Sequence, residues 1–319
     1  MSIWEQSDIY DLIKKYPQQF ERGFRLAEPV QLPKDIDQIV IAAISYNAAT
    51  AQIVKNLFAE EISIPIHIHS GYGLPLRITP KTLVIAISIC GKRPEVLSAV
   101  KMAYAANARV VAITTGKELE AFARERNLPL ILIDKTLPEM NQLTGGKMSA
   151  GIIIAILTQI LINTGVLNPK ARQRVLAAVT EIETMYLPKL GGKIAEMIAE
   201  TNLLIYSSET YLGLASLAKA LLNILEQMPC FVNTITEALN SEIYSFQRKG
   251  SAKYCALILQ DAAESTTTQS SIQKLQEKLT ATKLKSYILE LPGSNQLTKT
   301  LAGIMLLYWV SYSLISQQK

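Results

Sequence analysis

Two patterns of apolar positions alternate along the chain. Short continuous apolar runs, such as residues 39–44 and 83–87, are what a strand covered on both faces of a parallel sheet requires. Between them, apolar residues return at helical spacing, as on a helix with one buried face. The chain opens on a helix over 8–28, carrying Ile9, Leu12, Ile13, Phe20 and Phe24 and interrupted near Pro17. Strands follow at 39–44, 62–69, 83–89, 110–114 and 130–133, with helices at 47–59, 95–107 and 118–127. A long apolar helix at 147–165 closes this half.

After Pro169 a charged helical stretch runs to about residue 199, bearing Arg172, Arg174, Glu181 and Glu183 and breaking near Pro188 and Gly191-Gly192. The alternation then restarts. Strands are predicted at 203–206, 231–235, 255–260 and 286–291, and helices at 211–228, 237–246, 267–282 and 297–316. The expected fold class is therefore α/β: two tandem doubly wound parallel sheets of Rossmann-like, flavodoxin-like type. The division predicted is an N-terminal domain over 1–168, a helical connector over 169–200 and a C-terminal domain over 201–319. The shared element order has the look of a duplication.

Composition narrows the function classes. The net charge of +5 is spread along the chain without a basic run, and aromatics are sparse, which argues against nucleic-acid binding. Cys90, Cys230 and Cys255 are odd in number and show no CxxC spacing, which suits a reducing, cytoplasmic compartment. His67 and His69 have no acidic or cysteine cluster beside them, so they are read as half-buried strand residues, with no metal expected. The N-terminus, Met-Ser-Ile-Trp-Glu-Gln-Ser-Asp, lacks the basic start of a secretory signal. Residues 148–167 carry no charge, but Ser149, Thr158, Gln159, Asn163 and Thr164 would be costly in lipid. That stretch is read as a core helix, with no membrane partner.

In an open parallel sheet, chemistry belongs beyond the carboxyl ends of the strands, where helix N-termini offer free N–H groups. The segment after the first strand, Ala43-Ile44-Ser45-Tyr46-Asn47, has no glycines, which argues against a dinucleotide cofactor. No cofactor is expected. The segment after the third strand, Ser88-Ile89-Cys90-Gly91-Lys92-Arg93-Pro94, offers a hydroxyl, a thiol, a turn glycine and two cations ahead of a helix. It can be a phosphate cradle or a polar turn with surface cations.

At this loop the chain resembles a known family. Ser88-Ile89-Cys90-Gly91-Lys92-Arg93 stands where sugar isomerase (SIS) domains carry S-x-S-G-x-[ST], the loop that grips a sugar phosphate. Tyr16-Pro17-Gln18-Gln19, Tyr72-Gly73-Leu74-Pro75, Leu222-Asn223-Ile224-Leu225-Glu226-Gln227 and Glu237-Ala238-Leu239-Asn240-Ser241-Glu242-Ile243 are similar to segments of the bifunctional phosphoglucose/phosphomannose isomerases. The resemblance implies a phosphosugar ligand, a homodimer, and sugar or phosphate contacts from Asn47, Ser88, Cys90, Gly91, Lys92, Arg93, Lys147 and Asn240.

The departures bear on catalysis. The family's proposed base is here Ile224, its ring-opening histidine is Asn240, and the lysine of the first block is Gln227. Cys90 and Arg93 replace loop hydroxyls, Lys147 stands for an arginine before the long helix, and the chain stops at Lys319, short of the family's lysine-bearing C-terminal extension. Aldose–ketose isomerisation needs a positioned base and an acid, which isoleucine and asparagine do not supply. Two readings follow: a phosphosugar-binding protein with impaired or absent isomerase activity, or an active isomerase working through displaced carboxylates, with Glu237 and Glu242 as the candidates.

Overall fold

The computed structural model describes residues 6–74, 77–140, 146–247 and 253–317. Chain contacts divide these into two compact units, 14–177 and a second formed by residues up to 13 with 178–319. The opening helix therefore splits. Helix α1 (Gln6–Lys14) runs largely with the second unit, where the Tyr10 ring meets Trp309 and Tyr312 at centroid distances of 5.3 and 5.8 Å, and α2 (Gln18–Ala27) belongs to the first. Sequence pattern reveals one helical stretch broken by proline; only packing shows that its parts belong to different cores.

The first unit holds β1 (Gln38–Ala42), α3 (Tyr46–Leu57), β2 (Ile66–His69), β3 (Thr82–Ile87), α4 (Pro94–Ala105), β4 (Arg109–Thr114), α5 (Lys117–Glu125), β5 (Leu130–Leu132) and α6 (Ala150–Asn163). Its five strands are parallel, in the order β2-β1-β3-β4-β5, with Ala42 opposite Ala86 and Ile87 opposite Ile113. Every residue of β3 is buried, as its unbroken apolar run requires. Helix α4 puts Val96, Ala99, Val100 and Ala103 against Val40, Ala42, Val84 and Ala86, the i, i+3, i+4, i+7 stripe of an amphipathic helix. The second strand is shorter than its apolar run: only 66–69 pair, because Pro65 precedes them.

The second unit holds α8 (Pro188–Ile198), β6 (Asn202–Ser207), α9 (Leu212–Leu225), β7 (Cys230–Thr234), α10 (Ile235–Asn240), β8 (Tyr254–Gln260), α11 (Thr266–Ala281), β9 (Lys285–Glu290) and α12 (Gln296–Gln317). Its four parallel strands run in the order β7-β6-β8-β9. Two expectations are corrected here. Gly191-Gly192 does not break the connector but lies inside α8, where a Cβ on Gly191 would stand 2.6 Å from Trp309 Cβ. The helix expected over 237–246 ends at Asn240 and gives way to a 3-10 stretch, Glu242–Gln247, because Asn240 and Ser241 turn their side chains onto the carbonyls of Thr236 and Glu237.

Helix α7 (Lys170–Glu183), expected within a separate connector, is shared between the units. Arg172 and Arg174 pair with Glu28 and Glu61 in the first, and Glu181 accepts hydrogen bonds from Ser294 and Thr298 in the second. Helix α6 is buried from Ala150 to Leu161, so its apolar surface is spent inside its own unit, as a core helix requires. Helix α12 is long and apolar enough to cross a membrane by composition, but 72% of its apolar window is buried and it carries the buried Lys299.

Candidate functional site

The carboxyl edge of the first sheet gathers the loop 88–93, the start of α3 and the turn before α6. Strand order reverses between β1 and β3, the place where open α/β sheets bind ligands. The loop is held from below. Ser88 N donates to Ile113 O (3.1 Å), Gly91 N to Ser88 O (2.9 Å), and Thr115 donates to Ile89 O through both its N–H (3.1 Å) and its hydroxyl (2.7 Å). Gly91 adopts φ +69°, and a Cβ there would stand 1.8 Å from Gly116 O, so only glycine closes this turn.

Within the loop, roles divide. Ser88 is fully buried, and its hydroxyl accepts from Arg93 N at 3.4 Å, so it shapes the turn from inside. Cys90, Lys92 and Arg93 are exposed, while Gly91 is buried. Arg93 is extended (φ −71°, ψ 113°) and Pro94 opens α4, leaving the first-turn N–H groups of that helix toward the loop. Lys147 has its amine held below the ordinary lysine range by partial burial and then by the Arg93 charge. Neither cation makes an ion pair among the described residues. Like charges near one another without a counter-ion raise each other's energy, and an anion would relieve that.

At the neighbouring loop, Ser45 adopts φ 53°, ψ −128°, a strained conformation for a residue with a Cβ. Asn47 sits in the first turn of α3, and its side-chain oxygen is buried without a partner. Tyr46 hydrogen-bonds the Ser149 hydroxyl (2.7 Å), which joins the start of α3 to the start of α6.

The remaining candidates lie in the second unit. Glu242 has both oxygens engaged, by the Tyr206 hydroxyl (2.7 Å) and Asn233 Nδ2 (2.6 Å). Glu237 is exposed, and its N–H is capped by Thr234 Oγ1. Asn240 is exposed with its amide on Thr236 O (3.0 Å), and Ile224 is 42% exposed at the family's base position.

The equivalent edge of the second sheet is already filled. Asp261, just past β8, pairs with the buried Lys299, accepts from the Tyr211 hydroxyl (2.6 Å) and Ala263 N (2.8 Å), and is held below the usual carboxylate range by these contacts against the opposing effect of burial. Glu181 occupies the start of α12, accepting from Ser294 N (2.9 Å), Ser294 Oγ (2.6 Å) and Thr298 Oγ1 (3.0 Å). Sequence reading passed over Asp261 and Lys299 and took Glu181 only as a connector charge. A lone charge beside an apolar stretch was the available signal, but pairing is a property of the fold.

Comparison with known proteins fits this geometry. Residues 34–138 match the SIS domain model, and residues 189–317 match that of the bacterial phosphoglucose isomerase C-terminal SIS domain. A bifunctional phosphoglucose/phosphomannose isomerase from Caldicellulosiruptor bescii is 25% identical over 187 residues, covering 57% of this chain and 53% of that protein, so the chain spans about half the length of this curated relative in the match. Among solved structures, the C-terminal domain of glucosamine-fructose-6-phosphate aminotransferase from Francisella tularensis superposes with TM-score 0.73 at 12% identity, over 96% of this chain and 95% of that one. Tagatose-6-phosphate ketose/aldose isomerase from Escherichia coli gives 0.66 at 13%, over 98% and 92%. At these identities the superpositions speak for the fold. With two SIS domains, the second matching the bacterial phosphoglucose isomerase C-terminal type, the chain belongs to the SIS domain superfamily.

Proposed function

We propose that this protein binds a phosphosugar through the 88–93 loop and Lys147 and has little or no aldose–ketose isomerase activity. The observation that carries the reading is the unpaired Arg93 and Lys147 beside a loop whose turn admits only glycine. A phosphate dianion supplies the charge that the two cations lack, and the relatives named above act on sugar phosphates by their descriptions. Loss of catalysis is supported by Ile224, by Asn240 folded onto its own helix, and by Glu242 engaged at both oxygens. We place the protein in the cytoplasm as a homodimer; its three cysteines are free.

A second reading keeps the isomerase through a displaced carboxylate. Glu226 favours it, because burial raises its carboxyl to about 7, where a general base works best at neutral pH.

Thermal shift with fructose 6-phosphate, glucose 6-phosphate, mannose 6-phosphate and inorganic phosphate, followed by deuterium exchange at C2 of the sugar, separates the readings. Stabilisation without exchange is the expected result. Exchange that survives in wild type and is lost in Glu226→Gln establishes the second reading. No shift with any of the four, or shifts unchanged by Arg93→Ala, overturns both. Sedimentation equilibrium tests the dimer, and a monomer at micromolar concentration removes it.

A further inference from the structure

Lys147 makes no ion pair and no side-chain hydrogen bond among the described residues, so its backbone turn places it. That turn runs into α6, and a residue of another helix holds it. Gln19 of α2 is 2% exposed, far from any position a polar amide would take by preference. Its Nε2 donates to Met148 O at 2.7 Å, and its Oε1 accepts from Gly151 N at 3.1 Å. One amide thus grips the chain on both sides of the helix start, a carbonyl just before the first turn and an N–H inside it. Gly151 makes room, since a Cβ there would stand 2.9 Å from Gln19 Cβ. The Tyr46–Ser149 bond is a second tie at the same place, and Ser149 N donates back to Gly146 O (3.3 Å).

The clamp has a chemical consequence. Gln19 satisfies one of the free N–H groups of the α6 first turn, so that group is not offered to a ligand, and the anion must be met by the Lys147 side chain. We propose that Gln19 is a positioning residue for the anion site, its amide holding the 146–151 turn, whose Gly146 packs on Ile89, so that Lys147 is kept beside the 88–93 loop. This rests on the reading that the loop binds a phosphate group. The task demands a donor and an acceptor on one side chain of this length. Met keeps the length and loses both groups, and Asn keeps both and loses the reach.

The test is a cycle of wild type, Gln19→Met, Lys147→Met and the double variant, titrated calorimetrically with inorganic phosphate. Each single change is expected to weaken binding on the order of tenfold, and the double variant to bind no more weakly than Lys147→Met alone. Losses that multiply in the double variant overturn the proposal. Wild type that binds no phosphate overturns the functional reading instead, and a ligand-free arm then decides this one. In that arm the Lys147 ammonium is titrated by NMR: Gln19→Met is expected to return it toward the ordinary lysine value, with faster amide exchange at 146–151. An unchanged titration in folded Gln19→Met overturns the positioning role. Should Gln19→Met not fold, Gln19→Asn takes its place in both arms with the same expectations.

Discussion

At the scale of single residues, the two units treat charge in opposite ways. Arg93 and Lys147 make no ion pair among the described residues, whereas Lys299 and Asp261 are buried together with a tyrosine hydroxyl between strand and helix. Glu226 is the outlier of the second unit. Both its oxygens are buried without a hydrogen-bond partner, and the Ser311 hydroxyl beside it only partly offsets the burial that raises its carboxyl to about 7. The folded state therefore favours the protonated form. Its stabilising effect is complete below the unfolded value near 4.5 and is lost as pH rises through 7. Glu226→Gln, which mimics the protonated side chain, should leave denaturant stability unchanged at pH 4.5 and raise it by about 1–2 kcal/mol at pH 8, partial exposure being allowed for. Urea unfolding at the two pH values checks this, and an equal gain at both would point to packing in place of titration.

At the scale of elements, each unit lays a glycine-bearing helix across its long apolar helix. Gly23 of α2 would place a Cβ 2.5 Å from Ile152 O of α6, and Gly191 of α8 would place one 2.6 Å from Trp309 Cβ of α12. In an exposed helix, glycine to alanine stabilises by about 1 kcal/mol. Here the sign reverses, because the helices must separate before a methyl fits in a close-packed contact. Gly23→Ala and Gly191→Ala should each destabilise by about 1–3 kcal/mol, read as a fall in thermal midpoint. Gly192→Ala, whose Cβ would find nothing nearer than Ser313 Oγ at 3.9 Å, serves as the control and should be neutral or slightly stabilising. Both units thus close their helix pair through a glycine.

At the scale of the whole molecule, two sheets that share a strand order, apart from the extra edge strand β5, offer two carboxyl edges, and on the proposed function only the first takes an anion. The edge of the second sheet is filled by Asp261, Lys299 and Tyr211, with Glu181 on the start of α12. Phosphate should accordingly slow amide exchange in 88–96 and 146–149 and leave 207–211 and 261–264 unaffected. Hydrogen exchange with and without phosphate checks this, and protection of the second group would move the ligand to the other unit.

Much of the fold was legible in the order of residues. Continuous apolar runs such as 83–87 cannot lie half in water, so they announce parallel strands, and Val96, Ala99, Val100 and Ala103 announce the helix that covers them. The loop Ser88–Arg93 could be named because a turn glycine, small polar side chains and cations before a proline-led helix are local facts. What was not legible depended on partners distant in the chain. Pattern placed α1 with its neighbour, but Tyr10 packs on Trp309; it broke the connector at Gly191, but that glycine admits α12. Likewise, Glu242 reads as an available carboxylate, and Lys299 draws no notice, until the fold supplies Tyr206, Asn233 and Asp261. The sequence by itself determined the periods, strand positions and loop chemistry, because these follow from adjacent residues. Only the tertiary structure decided which charges are paired, because pairing is settled by contacts between segments that lie from about ten to more than a hundred residues apart.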